Sequence, residues 1–391
     1  MVVLVNHHIF TVACPAYLVN PAEFSMDKFR RMVETRQRRE DSIMRPEQWQ
    51  QVKAAAKLQN TGRVPLSLII DSPWLPGYLG IRHIDYYFDP EVWFLSNLRV
   101  VEEFPEVIVL PSWWVEYGMA IEPSALGSKV RFAADQTPSE FPMLFHLEDL
   151  EQLPEVDPQM DGLMPAALRQ YASVKRRIFE AGYTIPMVAA RGPLALAVFF
   201  RGLTPFMMDI TDNPAAVHKL LSYTTHATIQ WLRAQAAVVG DSVEGMLVLD
   251  DIVGFLSRKH YEEFAHPYLQ QVFSSFPSSW VKVYHNDARI DPFLDLLPAV
   301  GFDVLNWTHK VELNDVRKRT GGKICLMGNV SPLEIGVRGS PEQVKAATLG
   351  QLRKSGREGV ILSLGGGVSP GMPAANIRAM VEAVQQFNAG G

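Results

Sequence analysis

The chain has 391 residues, of which 47% are apolar and 20% charged, with a formal net charge of −5. That balance excludes a disordered or fibrous chain and supplies enough apolar mass for one large core. Lys and Arg are scattered rather than striped, which argues against a nucleic-acid partner and against a polybasic membrane contact.

Only two cysteines occur, Cys14 and Cys325, and no CxxC pair. Neither a disulfide framework nor a thiolate-rich metal site is expected, and a reducing cytoplasm is the expected location. The opening MVVLVNHHIFTVACP lacks a basic leader and does not read as a signal peptide. No run reaches 18 apolar residues, so no membrane span is expected.

Residues 1–60 read as a helical extension, with helix-like apolar spacing in MDKFRRMVETRQRRE and PEQWQQVKAAAKL. From residue 61 to 391 short apolar runs alternate with longer amphipathic stretches. The predicted strands are 65–71 (PLSLIID), 106–111 (EVIVLP), 185–191 (IPMVAAR), 245–251 (GMLVLDD), 280–287 (WVKVYHND), 303–307 (DVLNW), 323–330 (KICLMGNV) and 359–365 (GVILSLG). Continuous apolar runs of this kind suit parallel strands covered on both faces. Helices are predicted over 161–181, 213–239, 257–276, 291–299, 313–320, 340–355 and 374–387. Ser257 is a candidate N-cap, and SPEQ at 340–343 a capping box. Residues 113–150 break the rhythm and read as a hairpin-bearing insertion after strand two. Eight strands alternating with helices predict an α/β fold of the (β/α)8 TIM-barrel type; an open doubly wound sheet is the rival.

Barrel active sites lie where strands end, because the βα loops converge there. His285 and Asp287 stand two apart on a strand and so face one side, where an imidazole and a carboxylate can share a metal ion or a proton. A structural reading has Asp287 capping a helix and His285 bonding a loop carbonyl. Asp250 and Asp251 point to opposite faces, so at most one looks into the mouth. Asp251 is a candidate acid or base and Asp250 a candidate metal ligand. Asp71 opens the Pro- and Gly-punctuated loop DSPWLPGYLGI, and it and Trp74 are candidate pocket residues, as is Trp113. Arg191 is placed to clamp a substrate carboxylate, with a surface ion pair as the plain alternative. Asn329 ends strand seven, and Gly366 lies in a triple glycine that permits close backbone approach. No GxGxxG, P-loop, GxSxG or HExxH is present.

ARGPLALAVFFRG (190–202), LDDIVGFLSRKHYEEFAHPYLQQVF (249–273), GFDVLNW, ICLMGNVSPLEI and ILSLGGGVSPGMPAANIRAM together resemble the uroporphyrinogen decarboxylase superfamily, including its corrinoid-linked methyltransferase branch. The resemblance implies a distorted (β/α) barrel over roughly residue 65 to the C-terminus. It also implies, for the methyltransferase branch, zinc held by His-x-Cys at strand five and Gly-Cys at strand eight. Here those places read His285-Asn286-Asp287 and Gly365-Gly366, so the histidine remains and both thiolates are gone. A harder site of His285, Asp287 and Asp250 or Asp251 would suit zinc, manganese or iron. The decarboxylase branch's arginine-bearing signature is replaced by DSPWLPGYLG.

The resemblance implies a methyltransferase or demethylase acting on a small substrate. Its expected partners are a corrinoid protein or second methyltransferase subunit, with any corrinoid arriving only through the partner, and a second copy of the chain. A metal-free decarboxylase or lyase is the second expectation, and a non-catalytic ligand- or corrinoid-protein-binding module the third.

Overall fold

The computed structural model describes residues 4–5, 8–9, 46–59 and 61–390. The helix expected over 26–40 lies outside the described residues. Eight parallel strands appear where the apolar runs stand: β1 (Ser67–Ile69), β2 (Ile108–Leu110), β3 (Met187–Arg191), β4 (Gly245–Leu249), β5 (Val281–Asn286), β6 (Val304–Trp307), β7 (Cys325–Val330) and β8 (Val360–Leu364). Strands β3 to β8 form one sheet in chain order, and β1 pairs with β2. The Leu66–Leu362 bridge and the bond from Val368 N to Ile69 O join β1 to β8.

The result is a TIM barrel with one loose seam. Among the described residues no ladder joins β2 to β3. Residues that follow β2 bridge that gap instead, with Glu122 Oε1 accepting from Arg191 N at 2.9 Å and Val115 N donating to Tyr171 Oη at 3.0 Å. The insertion carries the expected hairpin, Lys129–Arg131 against Ser139–Phe141.

Proline explains two departures from the predicted helices. The stretch expected over 257–276 is two helices, Arg258–Phe264 and His266–Ser274, because Pro267 cannot donate into a continuous ladder. The stretch expected over 291–299 shrinks to single 3₁₀ turns at Asp291–Phe293 and Leu297–Ala299, where Pro292 and Pro298 remove two donors. The DSPWLPGYLGI segment, read as a loop, contains the short helix Leu75–Leu79. Both predicted caps form: Ser257 accepts from His260 N, and Ser340 and Gln343 close a capping box.

The helix Pro46–Ala56 lies across the N-terminal end of the barrel. Buried Trp49 donates to Glu244 Oε2 at 2.5 Å, and Lys53 meets the same carboxylate at 2.8 Å. An open depression of about 810 Å³ beside it is lined by Glu47, Lys57, Glu244 and Trp280, at the end of the barrel opposite the strand C-termini. Among the described residues no single helix is long and apolar enough to cross a membrane. The pair Pro193–Arg201 and Leu203–Asp212 reaches the required composition only together, across a 106° bend.

Candidate active site at the barrel mouth

Register decides which side chains meet. Arg191 pairs with Leu249, Leu249 with His285, and His285 with Asn306, so these residues form one inward-facing row. One pleat further toward the C-terminal end stand Asp251 and Asp287. Just past the end of β4, where the chain enters a 3₁₀ turn at Asp251–Phe255, Asp251 turns toward His285 and Asp250 toward the helix Pro193–Arg201.

Asp251, His285 and Asp287 come together: one ligand atom from each lies within 4.8 Å of the others. His285 is buried and its Nε2 is 3.8 Å from Asp251 Oδ1. The same Asp251 oxygen accepts from Asp287 N at 3.0 Å, which ties the end of β5 to the end of β4. Burial, then the Asp287 carboxylate, pushes the Asp251 carboxyl up to about 6, with His285 opposing. On its other ring nitrogen, His285 Nδ1 sits 2.7 Å from Asn306 Oδ1.

Gly366, with φ 137°, flanks the cluster: a Cβ there would stand 3.0 Å from Asp287 Oδ2. A Cβ on Gly365 would come within 2.5 Å of His309 N. The glycine run thus lets the end of β8 pass close to Asp287 and the loop after β6. His309, which the sequence did not single out, lies 3.6 Å from Glu334 Oε2, and burial holds its imidazole below the usual range.

Asp250, expected as a metal ligand, is placed elsewhere. Its fully buried carboxylate accepts from Leu194 N at 3.0 Å and Ala195 N at 2.9 Å, capping the helix Pro193–Arg201 from the neighbouring strand. Burial raises its carboxyl to about 8, while the two amides pull the other way. Gly192 has no Cβ because one would strike Asp250 Oδ2. Trp74 and Trp113 are core residues rather than pocket wall. Trp74 stacks on Tyr78 and donates to Met372 O; Trp113 stacks on Phe94. Asn329 is buried, donating to Val311 O while its Oδ1 has no partner among the described residues.

The loose-seam side of the mouth is acidic, a feature no sequence pattern announced. Glu116 and Glu122 are buried, and each carries a carboxyl raised chiefly by burial, Glu116 to about 7. Glu140 is likewise raised to about 7. Glu116 Oε1 accepts from Ser72 N at 3.0 Å, and Asp71, just before Ser72, is raised well above the carboxylate range by burial and by Glu116. The segment presenting Glu116 holds non-glycine residues in the left-handed region at Trp113, Tyr117 and Met119. Arg191 is the cation among these acids. Its Nε donates to Met119 O at 3.2 Å, its guanidinium lies 4.3 Å over the Phe199 ring, and its Nη atoms have no hydrogen-bond partner among the described residues.

Eight parallel strands with a carboxylate–histidine cluster at their C-terminal mouth place the molecule among barrel enzymes. The chain belongs to the uroporphyrinogen decarboxylase (URO-D) family, whose model matches residues 50–387. It is 27% identical over 281 residues to a uroporphyrinogen decarboxylase of Serratia proteamaculans, covering 67% of this chain and 75% of that protein. A uroporphyrinogen decarboxylase of Azotobacter vinelandii is 25% identical over 340 residues, covering 81% and 90%. The fold matches a methyltransferase from Methanosarcina mazei with a TM-score of 0.73 at 21% identity, over 86% of this chain and 98% of that one. The superfamily is one of enzymes.

Proposed function

We propose that this chain is an enzyme of methyl transfer or demethylation, acting on a small organic substrate at the barrel mouth. In this reading Asp251, His285 and Asp287 hold a divalent zinc, manganese or iron ion. The convergence of their three ligand atoms within 4.8 Å carries the proposal. The donor set fits such an ion: one imidazole and two carboxylates, with no thiolate, suit a hard or borderline cation. Burial first and then the Asp287 carboxylate raise the Asp251 carboxyl, and a cation relieves the repulsion between the two acids. When bound, the ion supplies Lewis-acid polarisation of the atom that carries the methyl group.

The protein's own groups do the rest. Asp287 N–H orients the Asp251 carboxylate, and Asn306 holds the His285 ring. Arg191, with free Nη atoms, is available to an anionic group on the substrate. A corrinoid protein is the proposed methyl carrier on the partner side. The mouth disfavours uroporphyrinogen decarboxylation, because a polycarboxylate would meet the Asp251 and Asp287 carboxylates, with Arg191 as a counter-charge. A metal-free decarboxylase remains the second reading, favoured by the raised Asp251 carboxyl near Arg191, which would serve as the proton donor.

Elemental analysis of protein purified without added metal, followed by a screen of O-, N- and S-methyl donors for methylation of cob(I)alamin, separates them. We expect one transition metal per chain, and in His285→Ala loss of that metal with turnover reduced about 100-fold or more. Metal-free protein that releases carbon dioxide from a carboxylated substrate would replace the proposal with the second reading.

A further inference from the structure

We infer that Asn306 is the positioning residue of this site: its side-chain amide fixes which nitrogen of His285 carries the proton. The argument runs through acceptors. Asn306 is fully buried on β6, and its Nδ2 donates to Met327 O on β7 at 2.7 Å and to Leu364 O on β8 at 3.0 Å. Carbonyl oxygens accept and never donate. Flipping the amide would therefore set its oxygen against two backbone oxygens at those distances, and the orientation is locked.

With the NH₂ committed to the strands, Oδ1 faces His285 Nδ1 at 2.7 Å. An amide oxygen needs a donor at that distance, so Nδ1 carries the hydrogen. In the neutral ring Nε2 then keeps its lone pair, and Nε2 is the nitrogen that faces Asp251. With the ring neutral and both acids ionised, Nε2 and the carboxylates of Asp251 and Asp287 present lone pairs to one another's neighbourhood, within 4.8 Å. Ordering a ring through its far nitrogen is how metal-ligating histidines are generally held. The use of Nε2 as a ligand rests on the function proposed above; the assignment of the proton does not.

The test is a long-range ¹H–¹⁵N spectrum of histidine-labelled, metal-free full-length protein, with the His285 signals assigned against His285→Gln. Recorded where the ring is neutral, wild type should show His285 protonated at Nδ1 and bare at Nε2. Asn306→Asp, protonated on the oxygen that replaces Nδ2, keeps an oxygen for Nδ1–H and one donor to the strand carbonyls, whereas Asn306→Leu loses everything. We expect the Asp variant to keep the tautomer and most of its zinc affinity. The Leu variant should lose the Nδ1–H preference and bind zinc about 10- to 100-fold more weakly.

Observation of neutral His285 with its proton at Nε2 in wild type, or of an unmoved tautomer in the Leu variant, overturns the assignment. If the Leu variant does not fold, the wild-type tautomer together with its retention in the Asp variant decides. Absence of zinc binding in every protein, with the tautomer as stated, would sink the metal reading and leave this one standing.

Discussion

Two adjacent aspartates just past the end of β4 show how one residue's step along the chain separates chemistry from structure. Asp251 turns into the mouth beside His285, while Asp250 turns out and satisfies two amides at the start of the helix Pro193–Arg201. Removing the outward carboxylate strands two buried donors, each worth roughly 1–3 kcal/mol. Asp250→Ala should therefore lower the unfolding free energy by about 2–4 kcal/mol in denaturant titrations while leaving zinc affinity near that of wild type. A variant that kept its stability but lost the metal would reverse the two roles. Period two made His285 and Asp287 legible in the sequence, since same-face spacing needs only one strand. Asn306 was legible only as one polar strand end among several, and Glu116 and His309 not at all, because their meaning comes from partners on other strands and loops: Met327 and Leu364, Ser72, Gly365.

At the scale of elements, the eight apolar runs were sufficient to locate all eight strands, because strands buried on both faces keep mostly apolar residues and confine their polar ones to a few positions such as Ser67, Lys282 and Ser363. Helices were less secure wherever proline fell inside an amphipathic run, as at Pro267, Pro292 and Pro298. The capping box at Ser340 was readable since both of its residues lie within one turn. Ser340 Oγ accepts from Gln343 N at 3.3 Å and Gln343 Oε1 accepts from Ser340 N at 2.8 Å. These contacts close the start of Pro341–Ser355, which packs on the barrel's outside, far in sequence from the mouth ligands. Ser340→Ala should cost about 1 kcal/mol of stability with no change in metal affinity or turnover. A loss of turnover without a loss of stability would show that the helix communicates with the mouth.

At the scale of the molecule, the loose seam between β2 and β3 concentrates acid. Asp71, Glu116, Glu122 and Glu140 all have carboxyls raised in the folded protein, with burial the first cause in each. A carboxyl whose folded pKa lies above its unfolded value takes up a proton on folding. Its stabilising contribution is complete below the unfolded pKa, near 4.5 for a glutamate, and is lost as pH rises through the folded one, about 7 for Glu116 and Glu140. The melting temperature should accordingly fall between pH 5 and pH 8, the reverse of what salt-bridged carboxylates produce. Glu116 is the group to alter, since glutamine keeps an oxygen for Ser72 N and cannot ionise. In Glu116→Gln the decline over that range should shrink by a few degrees, and the variant should melt above wild type at pH 8. Calorimetry across the range decides it: a wild-type melting temperature that rises with pH, or an unchanged slope in the variant, would mean that these acids are ionised and paired in the folded barrel. The acidic seam would then add ionised carboxylates to those of Asp251 and Asp287, and the mouth would repel a polycarboxylate more strongly.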